Sequence, residues 1–375
     1  MENENNKDPS KTEEGWLSKP PKFTTFRINL QSKELFGTNA SQAPKFYLLR
    51  PDCLVIERWP EDPIFPPTAN EVIVDALCAA AVLRGAHVFA PGVLGLPASC
   101  RIGERVDIYG DLDGQCKRGY KIKYNGKKLY VGTGYLKMSR HDLFDNGIQP
   151  SGIAVHTLMP ASKLPVINES LYPKGTLLLQ NLPSMVCGWV VNAQPGEYIL
   201  DMCAAPGNKT THIGQMSNNL VSIFQMICRR QLLVDARQCP VSGVNMGPPF
   251  PPNSFDKVLL DAPCSGLGQR PQLVNKMSPK MLQSYKFVQR KLFDSVILKV
   301  GGKLIYSTCT VTIDENEGMV AWALVKYPCL QLLPAEPLLG GPGQAGCGLT
   351  DEQRHVDSIY KDTIGFFIAS FKKVS

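Results

Sequence analysis

Two cysteines lie where apolar stretches of the sequence run into loops. Cys309 follows "KLIYST" (303–308) and precedes a run of acids, and Cys264 follows "DKVLLDAP" (256–263). A thiolate is a strong nucleophile, and an electropositive strand end can lower the pKa of a thiol. A lone cysteine in such a place is more often an inert small apolar residue. Two of them, one close to Asp261, favour nucleophilic chemistry.

A third strand end carries Asp201 in "YILDMCAAPGNKTT" (198–211), where an apolar run meets a glycine-bearing loop and a helix begins. A P-loop would need glycines where this chain has Cys203 and Asn208. A phosphate cradle is therefore disfavoured, and an adenosyl-type cofactor fits the loop better. An ordinary strand-to-helix turn is the simpler interpretation, but Asp201 and Lys209 exceed what a turn requires.

Methylation at carbon 5 of a pyrimidine needs a thiolate, a carboxyl group and a cofactor together. Addition of the thiolate at carbon 6 makes carbon 5 nucleophilic, and a carboxyl group at the N3 edge stabilises the charge that develops. A sulfonium cofactor supplies the methyl group, and a base then removes the carbon-5 proton. The target base must leave its stack to reach such a pocket.

The elements around these residues alternate between strand and helix from about residue 150 onward. "FDKVLLDAP" (255–263) is almost continuously apolar, as central parallel strands are, and "SPKMLQSYKFVQRKLFDSVILKV" (278–300) predicts a long helix that ends at Gly301 and Gly302. The pattern predicts an α/β, Rossmann-like doubly wound sheet with its ligands outside the carboxyl ends of the strands.

The remainder of the chain predicts a smaller β-rich domain inserted into this fold. We expect a polar disordered tail over 1–21, an N-terminal part of the catalytic region over 22–69, the β-rich domain over 70–149 and the α/β domain over 150–375. Asn125 and Gly126 lie between alternating runs and predict a tight hairpin. The lysines around this turn either blunt a sheet edge or face RNA, and their density among tyrosines favours RNA.

Composition sets limits on partners and compartment. The 375 residues carry a net charge of +7, which is compatible with an anionic partner, and the 12 cysteines include no CxxC pair. We expect free thiols in the reducing cytoplasm, no membrane segment and no metal site. We also expect a monomer.

At these residues the chain resembles the Sun-domain (Nol/Nop/Sun) RNA cytosine-5 methyltransferases. "LDMCAAPGNKTT", "LLDAPCSGLG" and "YSTCT" resemble that family's motifs, and "VLRGAHVFAPGV" (82–93) resembles a PUA domain of its PUA-containing tRNA methyltransferases. The resemblance implies S-adenosyl-L-methionine as cofactor and, as substrate, a cytosine near the 3′ end of the tRNA acceptor stem.

The resemblance also implies a role for each matching residue. Cys309 is the nucleophile, Cys264 assists product release and Asp261 contacts N3 of the base. The implied cofactor site comprises Asp201, Cys203, Ala204, Ala205, Pro206, Gly207, Asn208, Lys209, Asp235 and Asp261. The implied RNA contacts comprise Arg84, Gly85, His87, Phe89, Lys121, Lys123, Lys127 and Lys128.

The sequence departs from the family pattern in the cofactor half. The family loop reads Ala-Pro-Gly-Gly-Lys, and here Asn208 replaces the second glycine, which asparagine can do because it tolerates a left-handed backbone. "LVSIFQM" (220–226) ends without the acid expected after the second strand, and 210–255 and the stretch near 349–360 are short for the elements they should hold.

Two other functions remain open at this point. One is an RNA-binding protein that uses only the PUA domain while its catalytic half is impaired, which the missing second-strand acid favours. The other is a thiol-dependent hydrolase that pairs Cys309 with His212, although no third residue to orient the histidine is evident.

Overall fold

The computed structural model describes residues 15–29, 44–60, 65–145, 147, 149–167, 172–217, 222–225, 253–294, 296, 298–337, 339–344, 347 and 362–375, with the backbone alone at 222–225. Contacts between residues divide the chain into two compact units. The first covers Met1–Leu179 with Arg270–Asn275, and the second covers Gln180–Gln269 with Lys276–Ser375.

The first unit contains a four-stranded antiparallel sheet. Its strands, in the order β10-β1-β3-β2, are β1 (Phe23–Ile28), β2 (Phe46–Arg50), β3 (Cys53–Glu57) and β10 (Leu177–Leu179). Phe26 and Ile28 of β1 are buried against Leu54 of β3, which gives this sheet its apolar core. Strand β10 comes from the part of the chain that was predicted to belong to the α/β domain, because its pairing with β1 is long-range and leaves no local signal.

The first unit also holds the predicted β-rich domain as a six-stranded sheet. In the order β5-β9-β8-β7-β4-β6, its strands are β4 (Glu71–Val74), β5 (Val88–Phe89), β6 (Val93–Gly95), β7 (Arg105–Asp111), β8 (Lys128–Leu136) and β9 (Ile153–Pro160). Strand β9 pairs with β8 and β5, so the sheet continues past the expected boundary at residue 149.

Helix α1 (Ala76–Leu83) packs on this second sheet. The Asp75 side chain accepts a hydrogen bond from the Cys78 N–H at 2.8 Å and caps the helix N-terminus. A Cβ at Gly110 of β7 would lie 2.5 Å from the Ala79 Cβ, so glycine is required for the helix to approach the strand so closely. The apolar face formed by residues such as Val82 and Leu83 is fully buried in the domain core.

The predicted Asn125–Gly126 hairpin is wrong. Neither residue has a positive φ, and residues 112–127 lie outside the named strands, between the ends of β7 and β8. The Tyr124 side chain is buried and its hydroxyl donates to Asp111 Oδ1 at 3.0 Å, which pulls the segment inward. A buried side chain and its hydrogen bond therefore override the local turn preference.

The second unit is built around a six-stranded sheet in the order β12-β11-β13-β14-β16-β15. The strands are β11 (Tyr198–Asp201), β12 (Ser222–Gln225), β13 (Phe255–Asp261), β14 (Leu298–Thr308), β15 (Leu330–Leu333) and β16 (Phe367–Lys373). The pairs among β12, β11, β13 and β14 are parallel, and those of β16 are antiparallel. The α/β prediction is confirmed, with an antiparallel edge added to the parallel strands.

In the described part of the chain, the helices that accompany this sheet are α2 (Leu182–Val191), α3 (Asn208–Met216), α4 (Pro279–Asp294) and α5 (Glu317–Lys326). Helix α4 ends at Asp294 and not at Gly301, because strand β14 begins at Leu298. A Cβ at Gly302 would lie 2.8 Å from the Asp256 carbonyl oxygen, so this glycine serves close strand contact and not helix termination. In the described part of the chain, no helix is long and apolar enough to cross a bilayer.

Candidate active site

The parallel strands bring the predicted chemical residues to one edge of the sheet. Strand β11 ends at Asp201 and strand β13 at Asp261, and in the β13–β14 pairing Asp261 lies beside Ser307. Cys264 and Cys309 follow the ends of β13 and β14 by only a few residues. The sheet topology thus places side chains that are over a hundred residues apart in sequence at neighbouring strand ends.

The two thiols are in direct contact. The Sγ atoms of Cys264 and Cys309 are 3.4 Å apart, and the Cys309 N–H donates to the Cys264 Sγ at 3.3 Å. Both cysteines are free, as are the other described ones. The pair is therefore linked by a shared hydrogen bond and not by a covalent bond.

This contact separates the acidities of the two thiols. The hydrogen bond from Cys264 lowers the pKa of Cys309 to about 7, against the opposing effect of burial. The same hydrogen bond, together with burial, raises the pKa of Cys264 well above its ordinary value. Of the two thiols, Cys309 is therefore the more readily deprotonated and Cys264 the one that keeps its proton, as a nucleophile with an adjacent hydrogen-bond donor requires.

An ion pair lies beside the thiols. Lys209 Nζ is 2.7 Å from Asp261 Oδ2, and the Ser307 hydroxyl donates to Asp261 Oδ1 at 2.7 Å. Burial alone would lower the pKa of Lys209, but the charge and hydrogen bond of Asp261 together with the charges of Cys187 and Cys309 outweigh it, and the pKa is raised. Lys209 therefore stays charged and fixes the Asp261 carboxylate, while its ammonium also lies 5.3 Å from the Phe366 ring centre.

Asp201 is buried at the end of β11. Its Oδ2 accepts a hydrogen bond from the Thr210 hydroxyl at 2.6 Å, and its Oδ1 accepts from the Cys203 N–H at 3.2 Å. Burial raises the pKa of Asp201 to about 6, although the Thr210 hydrogen bond opposes the rise. These bonds hold the loop that starts at Cys203 against the start of α3.

That loop turns into α3 through Gly207, whose φ of 112° is left-handed. Asn208 is the first residue of the helix and has no positive φ, so the expected strain at this substitution is absent. No side chain caps the helix, which leaves its first N–H groups facing the loop. Ala204 is half-buried, and Ala205 and Pro206 are exposed at the loop surface.

A buried carboxylate behind the thiols was missed by sequence reasoning. Glu315 is 1% exposed and accepts hydrogen bonds from the Ser265 N–H at 2.9 Å, the Ser265 hydroxyl at 2.5 Å, the Thr312 hydroxyl at 2.8 Å and the Gln289 amide at 3.0 Å. The Ser265 hydroxyl also lies 2.8 Å from the Thr310 hydroxyl. Glu315 therefore ties the residue after Cys264 to the loop after Cys309, and the acidic run downstream of Cys309 was its only signal.

His212 is fully buried on α3, where its ring lies 6.2 Å from that of Trp189. A Cβ at Gly188 would lie 2.3 Å from its Nδ1, so the histidine fills the space between α2 and α3. This packing role removes the support for a hydrolase in which His212 activates Cys309.

The predicted RNA contacts fall into two groups in the first unit. Arg84, Gly85, His87 and Phe89 follow α1 in one stretch, with Phe89 53% exposed. Gly85 has a φ of 92° and approaches the Pro165 carbonyl oxygen so closely that a Cβ would lie 2.8 Å from it. This approach provides a physical reason for glycine in the segment.

The lysine group divides further. The side chains of Lys121, Lys123 and Lys127 are exposed. Lys128 instead pairs with Glu71, donates to the Tyr124 carbonyl oxygen at 3.0 Å and lies 4.6 Å from the Tyr109 ring centre. The Lys128 ammonium is therefore paired within the domain, whereas Lys121, Lys123 and Lys127 are exposed.

In the part of the chain predicted to bind the cofactor, the structure shows one departure from the family pattern. Gln225 is the last residue of β12 and pairs in register with Asp201, so it occupies the position at which the second-strand acid was expected. Asp235 and most of the interval predicted to be shortened lie outside the described residues. Among the residues that the structure describes, no cluster of His, Cys, Asp and Glu could hold a metal ion.

Comparison with known proteins identifies relatives of the whole chain. Residues 189–372 match the family model of the 16S rRNA methyltransferase RsmB/F. The chain is 38% identical to the tRNA (cytosine(72)-C(5))-methyltransferase NSUN6 of Mus musculus, with 95% of this chain and 88% of the relative covered. It is 32% identical to the tRNA (cytosine(72)-C(5))-methyltransferase of Pyrococcus horikoshii, with 83% of this chain and 77% of the relative covered.

A solved structure matches at the level of the fold. The crystal structure of NSun6 from Pyrococcus horikoshii with SFG has a TM-score of 0.68 and 27% identity, with 98% of this chain and 94% of that chain covered. The alignment with the mouse relative spans 424 residues, more than the 375 of this chain, so that relative carries residues that have no counterpart here. On these matches, the chain belongs to the Sun-domain RNA cytosine-5 methyltransferases.

Proposed function

We propose that this chain transfers a methyl group from S-adenosyl-L-methionine to carbon 5 of a cytosine in the acceptor stem of tRNA, near its 3′ end. The observation that carries the proposal is the contact of the Cys264 and Cys309 thiols beside the Lys209–Asp261 ion pair. A thiolate, a proton donor and a fixed carboxylate are the groups that this reaction requires from the protein.

Cys309 begins the reaction. Its thiolate adds to carbon 6 of the cytosine, a carbon–sulfur bond forms, and the electron pair of the 5,6 double bond moves into the ring. Carbon 5 becomes nucleophilic as a result. Because the pKa of Cys309 is about 7, a large fraction of the enzyme carries this thiolate at neutral pH.

Asp261 and Lys209 orient the base and balance its charge. The Asp261 carboxylate is held on one oxygen by Lys209 and on the other by Ser307. Its remaining lone pairs can accept a hydrogen bond from the 4-amino group of a cytosine, and from N3 once that nitrogen is protonated as the thiolate adds. Charged groups fixed before the substrate arrives stabilise developing charge without reorganisation.

Cys264 serves the end of the reaction. After carbon 5 has been methylated, a base takes its proton, the electron pair of that C–H bond re-forms the 5,6 double bond, and Cys309 leaves carbon 6 as a thiolate. The Cys264 thiol, 3.4 Å from the Cys309 sulfur, is placed to stabilise that leaving thiolate by hydrogen bonding. The hydrogen bond that lowers the pKa of Cys309 in the resting enzyme thus also favours product release.

The cofactor supplies an electrophilic methyl group when it is bound. Residues of the loop from Cys203 to Lys209 fit it in part: the loop leads through Gly207 into the N-terminus of α3, and a helix N-terminus suits the carboxylate of a methionine moiety. The adenosine end has less support, because Gln225 stands where a ribose-binding acid was expected. We assign Asp235 to that end from the sequence alone.

The RNA assignment draws on the relatives and on the first unit. The mouse and Pyrococcus relatives are named for cytosine 72 of tRNA. We assign RNA contacts to a PUA domain formed by the six-stranded sheet, through Arg84, Gly85, His87 and Phe89 and through the exposed lysines Lys121, Lys123 and Lys127. The described cysteines are free, so we also place the protein in the reducing cytoplasm, as a monomer.

One experiment tests both halves of the proposal. S-adenosyl-L-methionine is titrated calorimetrically into the full chain, and tritiated methyl transfer is then measured to a tRNA transcript and to its cytosine-72-to-uridine variant. We expect cofactor binding and transfer to the cytosine transcript alone. Cofactor binding without transfer contradicts the proposed reaction. RNA binding without cofactor binding identifies instead a catalytically impaired RNA-binding protein.

A further inference from the structure

A cavity of about 420 Å³ lies within the first unit. Its volume is in the range of small-ligand sites in proteins. The described residues that line it come from β2, β3, β9 and the segments beside them, and most are apolar. They include Phe46, Ile56, Trp59, His87, His156 and Thr157.

Pairing between strands fixes the walls of the cavity. Phe46 of β2 lies directly opposite Ile56 of β3, so one wall is a cross-strand pair. On another wall, His87 Nδ1 accepts a hydrogen bond from the Thr157 N–H at 3.2 Å, which attaches the histidine to β9. The walls are parts of two sheets, and the cavity is therefore formed before any ligand arrives.

The lining is rich in flat rings. Phe46 and Trp59 contribute aromatic faces, and the rings of His87 and His156 have their centres 4.1 Å apart with their planes tilted by 31°. None of the described lining residues is Lys, Arg, Asp or Glu. An uncharged, planar molecule is the ligand that such a lining suits, because it can stack on the rings without a charge to desolvate.

The residues next to the lining carry positive charge. Lys45 precedes Phe46 and Arg58 precedes Trp59, and both side chains are exposed. Lys163 lies on the other side, where its carbonyl oxygen accepts from the Trp59 N–H at 2.9 Å. Among the described residues that adjoin the lining in sequence, the acid is Glu57, which is half-buried. Exposed cations next in sequence to the residues of an uncharged, ring-lined cavity match a nucleotide, whose base is flat and whose phosphate is anionic.

We propose that this cavity is a nucleobase subsite, in which one unpaired base of the RNA substrate stacks on Trp59 and Phe46 while its phosphate meets Lys45 or Arg58. The inference rests on the proposed function, since it takes RNA to be the substrate. It places a base contact at the junction of the two sheets of the first unit. The RNA contacts predicted from the sequence had drawn only on the six-stranded sheet.

The test measures binding of the full chain to the tRNA transcript and to single-stranded oligocytidylate and oligoadenylate by fluorescence anisotropy. Trp59→Leu and Phe46→Leu keep an apolar side chain and remove the stacking face. Tyr47→Leu is the matched control, because Tyr47 neighbours Phe46 on β2, is similarly exposed and does not line the cavity. Phe46 is 40% exposed, so its replacement carries little risk for folding.

We expect both cavity variants to bind RNA about tenfold more weakly, as loss of one base–aromatic stack implies, with an unchanged salt dependence. Tyr47→Leu should bind like the unchanged protein. Lys45→Ala or Arg58→Ala should lower the salt slope by about one. Calorimetric binding of S-adenosyl-L-methionine reports in parallel on whether each variant is folded.

Photo-crosslinking identifies the occupant directly. A transcript with 5-iodocytidine in its single-stranded 3′ end should crosslink to a peptide that contains Trp59 or Phe46. Unchanged RNA affinity in both cavity variants, with crosslinks confined to other peptides, overturns the subsite and assigns the cavity to another partner such as an apolar peptide. Methyl transfer that persists in that case leaves the proposed function intact. Cavity-dependent RNA binding without methyl transfer contradicts the proposed function and leaves the subsite standing.

Discussion

The thiol site and the lysine segment at 121–128 were both predicted from short motifs, but the structure agrees with the prediction only at the thiol site. The strand ends that carry Cys264 and Cys309 meet as expected, with their sulfur atoms 3.4 Å apart. The Asn125–Gly126 hairpin does not form, and Lys128 turns inward to Glu71. A strand-end position is set by the topology of a whole parallel sheet, whereas a turn signal competes with every tertiary contact within reach.

The two motifs differ because the position of the first is set by strand pairing and that of the second by individual side-chain contacts. Asp261 and Ser307 are adjacent because two buried, apolar strands pair in a fixed register. The segment after β7 is fixed instead by scattered side-chain contacts, such as the Tyr124 hydroxyl and the Cys116 N–H on Asp111, which leave no periodic pattern in the sequence. Sites built on sheet topology can therefore be predicted more securely than surfaces built on exposed turns. The experiments below probe both sides of this comparison.

Replacement of the nucleophile should have the largest effect. Cys309→Ala removes the only group assigned to add to carbon 6, so methyl transfer and the covalent enzyme–RNA complex should both fall at least about 1,000-fold. Tritium transfer and denaturing gels measure the two quantities. Cys329→Ala is the control, since Cys329 is a half-buried thiol just before β15. Persistent methylation by Cys309→Ala would show that another residue is the nucleophile.

Loss of Glu315 tests whether the thiols must be held together from behind. Glu315→Ala leaves the partly buried Ser265 N–H without its acceptor, at a cost of about 1–3 kcal/mol, while the Gln289 amide keeps only its bond to the Pro263 carbonyl oxygen. Cys264 should then lose its position relative to Cys309, and the covalent complex should persist about tenfold longer. Glu315→Gln, which keeps one acceptor oxygen, should show an intermediate lifetime.

Whether the amount of covalent complex rises or falls in Glu315→Ala distinguishes a role of Glu315 in positioning Cys264 from a role in stability alone. A merely destabilised enzyme forms less covalent complex, whereas an enzyme with a displaced Cys264 accumulates it, as Cys264→Ala should. The measurement is the decay of the complex on gels after a chase with unlabelled RNA. A Glu315→Ala complex that decays at the original rate would assign Glu315 to the fold alone.

The pH dependence of Cys309 follows from its partner. Alkylation by iodoacetamide requires the thiolate, so its rate should rise with pH through a midpoint of about 7 and level off above it. Cys264→Ala removes the hydrogen bond that lowers the pKa of Cys309 and leaves the burial that raises it. The midpoint should therefore move to higher pH, with mass spectrometry of the Cys309 peptide as readout. An unmoved midpoint would mean that Cys264 does not set this pKa.

The sequence predicted the α/β sheet, the convergence of the strand ends that carry Asp201, Asp261, Cys264 and Cys309, and the β-rich insertion. It did not predict strand β10 in the first unit, since a pairing across more than a hundred residues, such as that of β1 with β10, leaves no local pattern. Glu315 was missed for a related reason. Its role depends on Ser265 and Gln289, which only the folded chain brings to it.

The lysine segment should show the smallest effects, and these distinguish its members. Lys121→Ala, Lys123→Ala and Lys127→Ala should each lower the slope of log affinity for RNA against log salt by about one if these exposed side chains contact phosphate. Lys128→Ala should leave the slope unchanged, because its ammonium is occupied by Glu71 and the Tyr124 carbonyl. It should instead lower the melting temperature slightly, since a partly exposed ion pair contributes at most about 1 kcal/mol. The slopes come from binding titrations at several salt concentrations, with Glu71→Gln as the matched partner variant for stability. A reduced slope for Lys128→Ala would show that RNA displaces Glu71 and that all four lysines form one surface.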